Sequence, residues 1–263
     1  MSTTAYAPTA AAGDLSRDAR PGLGRLVRVE LRKMYDTRAG FWLLLTGVLL
    51  AFLAAGLAIF TGERQDQTFD TAMDASSQFM NFLIPIVGIL LVTSEWSQRT
   101  AQVTFTLVPQ RGRVLVAKLG ASVALALAAF VVTLIASALF TAIGGDSSSG
   151  VEPWSVDGGL LFQIVLFDVI SMLMGVALGA AILLSAPAIV SSFVLPLGLA
   201  LVLHLINGLE KAADWVDPTE ALPPMTADPL SGTQWARAGV CAALWIGVPL
   251  AVGLYRFLRN EVR

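Results

Sequence analysis

Five stretches of this chain are apolar enough to sit in hydrocarbon, and the segments joining them alternate between basic and acidic. Residues 41–60, 75–94, 119–145 and 238–255 hold no Asp, Glu, Lys or Arg, and residues 158–209 hold one, Asp168. A bilayer core takes about 20 apolar residues of helix. Backbone groups left unpaired in hydrocarbon are too costly for an open structure, so each crossing must be a helix. The stretch 158–209 is roughly twice what one crossing needs. It reads as two helices joined by a tight turn near Pro187, which gives six crossings and an all-α membrane protein.

Charged residues make up 14% of the chain, against about 25% in soluble domains. The single cysteine, Cys241, lies in the last apolar stretch, so no intramolecular disulfide is possible. The first forty residues lack the apolar core and cleavage site of a secretory signal, and the first crossing is expected to double as the insertion signal. Residues 1–20, rich in Ala, Thr, Ser and Pro, read as a disordered tail. Residues 21–263 read as one membrane domain, with helices expected at about 41–60, 76–94, 119–143, 160–184, 187–207 and 236–257.

Basic residues set the orientation. Seven lie between Arg17 and Arg38, four between Arg99 and Lys118, and three between Arg256 and Arg263; only Arg64, Lys211 and Arg237 lie on the other side. The basic side faces the cytoplasm by the positive-inside rule. The opposite loops carry acidic runs such as Glu63, Asp66, Asp70 and Asp74. Both termini are therefore expected inside, which requires an even number of crossings and supports the division near Pro187.

Leu23, Leu26, Val27, Leu31, Met34 and Tyr35 recur at helical spacing. Arg25, Arg28, Arg32 and Lys33 fall mostly off that stripe. An amphipathic helix of this kind lies in the interface, its basic face toward lipid headgroups, either as an anchor alone or as a contact for a cytoplasmic partner too. The loop 95–118 is the long inner segment. Pro109 should stop any helix begun near Ser97, and an apolar edge at Val103, Phe105, Leu107 and Val108 wants a surface to cover it. The outer segment 207–234 carries Trp215, Leu222, Met225, Leu230 and four prolines. It reads as short helices with proline breaks between them, dipping into the outer interface.

Asp168 is the only ionisable carboxylate within a crossing, and a charge there is by default a functional hypothesis. The competing reading is a carboxyl that fixes helix packing. Asn81 and Ser171 join it as pathway candidates, or as partners in interhelical hydrogen bonds. His204 reads as a capping or interface residue. Pro85, Pro187, Pro196 and Pro249 should kink or break their helices. The chain has no phosphate loop, dinucleotide turn, zinc motif or nucleophile elbow. One His and one Cys build none of the usual metal sites, and no enzymatic activity is expected.

The chain resembles the permease subunit of type 2 ATP-binding-cassette exporters over roughly residues 22–260. The likeness rests on the basic amphipathic helix, the six crossings with both ends inside, and the loop after the second crossing. In that loop Glu95, Trp96, Thr100, Thr106-Leu107, Pro109, Arg111 and Lys118 match the family pattern, while Ser97 and Arg99 replace its usual Arg and Gly. The resemblance implies a dimer of permeases, identical or related, in the cell membrane, each bound by a separate cytoplasmic ATPase that holds ATP and Mg; no cofactor is expected in this chain and no nucleic-acid partner. It makes residues 97–108 the coupling helix, with Glu95, Trp96, Arg99, Thr100, Val103, Phe105, Leu107, Pro109 and Arg111 at the ATPase interface. It implies that an amphipathic or hydrophobic cargo moves outward, and that segment 207–234 caps the pathway. A secondary carrier built on Asp168, or a membrane anchor without transport, are the alternatives.

Overall fold

The computed structural model describes residues 22–97, 111–145, 152–154, 157–206 and 208–259. These residues form ten α-helices: α1 (Leu23–Asp36), α2 (Arg38–Thr61), α3 (Phe69–Ser97), α4 (Arg111–Gly144), α5 (Gly158–Ile182), α6 (Ser185–Leu205), α7 (Glu210–Val216), α8 (Pro218–Ala221), α9 (Pro224–Ala227) and α10 (Gly232–Arg259). Among the described residues there is no strand. Six helices, α2 to α6 and α10, are long and apolar enough to cross a membrane. The expected tail at 1–20 and the coupling helix at 97–108 lie outside the described residues, apart from Ser97 itself, which closes α3.

The helices overrun their charge-free stretches because capping residues, not the loss of hydrophobicity, decide where they start. α3 begins at Phe69 rather than near 76: Thr68 Oγ1 accepts the Thr71 N–H (3.3 Å), and Asp70 sits in the first turn. Asp157 caps α5 through the Gly159 N–H (2.7 Å). Ser231 and Gln234 cap α10 reciprocally: the Ser231 N–H donates to Gln234 Oε1 (2.8 Å) and the Gln234 N–H to Ser231 Oγ (3.4 Å). At the other end of the loop after α3, the helix expected from 119 already runs from Arg111.

Two sharp turns shape the bundle. Thr37 alone separates α1 from α2, its Oγ1 accepting the Gly40 N–H (3.2 Å). A Cβ on Gly40 would strike the Met34 carbonyl, so only glycine permits this approach. The turn expected near Pro187 falls instead at Leu183, which takes the left-handed conformation (φ 63°) between α5 and α6. Pro187 sits in the first turn of α6, where its missing N–H costs no helical bond. Pro85, Pro196 and Pro249 lie inside α3, α6 and α10.

α5 is the central helix and α6 the peripheral one: 61% of the apolar stretch of α5 is buried, against 11% for α6. α5 packs on α3, α4 and α10, and α2 and α4 close over α3. One cluster joins Met34, Ala51, Met80, Ile84, Leu91, Ala121 and Met172 across α1 to α5. Between apolar helices in lipid, close van der Waals fit replaces hydrophobic drive. The α3–α5 seam meets that demand with glycine. A Cβ on Gly175 would enter the Pro85 carbonyl, one on Gly179 would come within 3.1 Å of the Ile89 carbonyl oxygen, and one on Gly88 would press on Met172 and Val176. Gly175 and Gly179 form a G-x-x-x-G pair that the sequence displays openly.

Candidate functional site

A buried ionic cluster lies where α1, α3 and α4 meet, at both roots of the loop 98–110. Helical spacing puts Glu30 on the apolar side of α1 between Val27 and Met34, and Glu30 and Met34 are both buried. Glu95 occupies the last turn of α3 and Lys118 the third turn of α4. Lys118 Nζ donates to Glu30 Oε2 (2.6 Å) and the Leu91 carbonyl (3.0 Å), and lies 3.4 Å from Glu95 Oε1. Its three N–H donors are thereby all used. Lys33 Nζ donates to Glu30 Oε1 (2.7 Å) and to Glu95 Oε1. The Lys118 side chain is 1% exposed and the two glutamates 5%. Charges taken this far from water persist only when paired and hydrogen-bonded.

Burial pulls the Lys33 ammonium down, but the carboxylates of Glu30 and Glu95 outweigh it and hold its pKa above the ordinary lysine value. The stability that the Lys33 ammonium contributes is therefore complete at neutral pH, and is lost as pH rises through that raised value. With two lysines and two glutamates the cluster is neutral and locks α1 to both roots of the loop.

The structure divides the expected interfacial residues. Arg25, Arg28 and Arg32 stay on the exposed side of α1, Arg32 pairing with Asp36 (3.1 Å). Lys33 does not face outward with them, because two buried carboxylates claim it. Of the expected loop residues, Glu95 is in the cluster, Trp96 is in the last turn of α3, and Arg111 is the first residue of α4. Arg99, Thr100, Val103, Phe105, Leu107 and Pro109 lie outside the described residues. Glu30 is not among the residues expected from the sequence; its signal is an acidic side chain on an apolar helical stripe.

The opposite end of the bundle is closed by α7 to α9. The Trp245 indole N–H donates to the Val216 carbonyl (2.8 Å), and Arg237 pairs with Asp214 (2.8 Å). Leu222 and Met225 are buried against Cys241 and Trp245. Gln163, within α5, accepts the Leu230 N–H (2.9 Å) and donates to the Asp228 carbonyl (3.4 Å). The expected short helices with proline breaks are present in 207–234. His204, at the end of α6, has Nδ1 2.8 Å from the Ala200 carbonyl and Nε2 3.9 Å from Glu220. Asp168 and Ser171 are buried on α5, and Asn81 is half-buried on α3.

A multi-pass membrane protein, with six helices fit to cross and an ion-locked loop root, is the class this architecture defines. The chain belongs to the ABC-2 family of transporter proteins, whose family model matches residues 26–207. That span holds all but the first three residues of α1, the loop with both its roots, and the crossings through α6. No curated protein matches the chain.

Proposed function

We propose that the chain is the permease of an ATP-driven exporter in the cell membrane, with both termini and the loop 98–110 in the cytoplasm. A separate ATPase subunit binds that loop and holds ATP and Mg. Two permease subunits form the pathway, and an amphipathic or hydrophobic cargo moves outward. The observation that carries this reading is the ionic cluster: it ties α1 to both roots of the loop that the resemblance assigns to the ATPase. A push on the loop would then reach α1, α3 and α4 together rather than dissipate in one strand of chain. Arg99, Arg111 and Arg113 supply charge-assisted bonds to carboxylates on the ATPase, and the apolar edge from Val103 to Val108 supplies buried area. Asn81, Asp168 and Ser171 are assigned to the pathway wall.

The test is co-purification and turnover. A tagged chain should carry a phosphate-loop ATPase through purification, and the complex should export an amphipathic fluorescent dye from loaded vesicles. Arg99→Glu reverses a charge at the interface and Val103→Pro breaks the coupling helix. Each should lower export by about tenfold or more while leaving membrane insertion intact. Normal export by both variants would remove the loop from the coupling role.

A further inference from the structure

The α3–α5 seam contains three oxygens that protein groups do not satisfy. Ser77 Oγ, Asn81 Oδ1 and Asp168 Oδ1 are buried with no hydrogen-bond partner among the described residues. Asp168 is 2% exposed and Ser77 5%. A buried polar group without a partner is costly and calls for a specific cause, such as a bound ion.

The helix register brings the three together. Pro85 meets Gly175 and, one turn on, Ile89 meets Gly179, so α3 and α5 run in the same direction. Toward the capped end, Met73 and Ile164 share one apolar cluster at an offset within one residue of that. Between these two fixed points Asn81 lies level with Ser171, and Asp168 falls between the levels of Ser77 and Asn81. Asp168 precedes Met172, Gly175 and Gly179 at spacings of four, three and four, which is the face of α5 that meets α3. Ser77 and Asn81 precede Pro85 at spacings of four, on the face of α3 that meets α5.

Above these oxygens opens a cavity of about 380 Å³, lined by Asp70, Asp74, Ser77, Asp157, Ile164 and other residues of α3, α5 and α9. Ser77 belongs to both the cavity and the oxygen set. A cleft lined by one sign of charge concentrates ions of the other sign.

The donor set selects the ligand. A carboxylate, an amide carbonyl and a hydroxyl are hard oxygen donors, which suit hard cations. They carry a single negative charge. A single negative charge balances a monovalent cation and leaves a divalent one under-compensated. The glycine-close approach of the two helices favours a small ion over a large one. We propose that the α3–α5 seam binds one sodium ion through Ser77 Oγ, Asn81 Oδ1 and Asp168 Oδ1, loaded from the acidic cavity above it.

The full-length chain, purified in detergent, is melted in sodium chloride and in choline chloride at matched ionic strength. The melting temperature should rise with sodium and saturate, because the ion binds only the folded chain. Asp168→Asn should abolish the difference between the salts, and Ser77→Ala should move the sodium midpoint severalfold higher. Equal melting in both salts would overturn the site, as would a sodium response intact in Asp168→Asn or, should that variant not fold, unchanged in Ser77→Ala. Stability that follows pH and ignores sodium would assign the seam to a proton instead and equally overturn the proposal. The readout is equilibrium binding, so its failure would leave the proposed export standing.

Discussion

Lys118→Met is expected to destabilise the chain by about 3–5 kcal/mol, the usual cost of stripping one partner from a buried ionic group. The side chain is nearly isosteric, so the loss is electrostatic. It leaves Glu30 and Glu95 sharing Lys33 alone, one uncompensated negative charge at a site with almost no solvent. Glu30→Gln leaves the opposite excess. The double variant restores neutrality, with Lys33 and Glu95 still paired. Its melting temperature should therefore lie well above the value that adding the two single losses gives, a coupling that a double-mutant cycle reads directly. Additive losses would mean that the two side chains do not act as a unit, and the lock between α1 and the loop root would fail with them.

Gly175→Leu should be of similar size for a different reason. The Cβ it introduces enters the backbone carbonyl of Pro85, which no rotamer change can relieve. α3 and α5 must part, and with them the most tightly fitted seam of the bundle. A loss of at least about 3 kcal/mol is expected, at or beyond the upper end for overpacking. Gly198→Leu, on peripheral α6, is the control: nothing lies within 4 Å of the Cβ it would add. That variant should stay within about 0.5 kcal/mol of the native chain, as exposed substitutions do. Thermal melting of the two proteins in one detergent decides the matter; equal melting would deny the seam its steric role.

How much of this was legible in the sequence differs from residue to residue. The crossings were, because hydrocarbon admits no other structure for long charge-free runs. Their starts were less so. Thr68 with Asp70, Asp157, and the Ser231–Gln234 pair are capping signals that outrank the charge boundaries used to place the helix ends. The division of 158–209 was expected, but Pro187 marks the first turn of α6 rather than the turn itself. Glu95 and Lys118 stood out through the family pattern; Glu30 did not, since an acidic residue among Arg28, Arg32 and Lys33 reads as surface charge until helical spacing sets it beside Val27 and Met34. Ser77 carries no sequence signal for a related reason: its importance depends on what α5 places opposite it. Single-chain periodicity shows which face of a helix is polar, and not which neighbour it meets.

The proposed export requires six crossings that put the loop 98–110 on the cytoplasmic side. That topology is tested by cysteine accessibility in intact cells. The native Cys241 is fully buried, so the background is quiet. A membrane-impermeant maleimide should label Ser148→Cys and should leave Gln110→Cys unlabelled until the cells are opened. Labelling of Gln110→Cys in sealed cells, with Ser148→Cys protected, would invert the chain in its membrane and contradict the account.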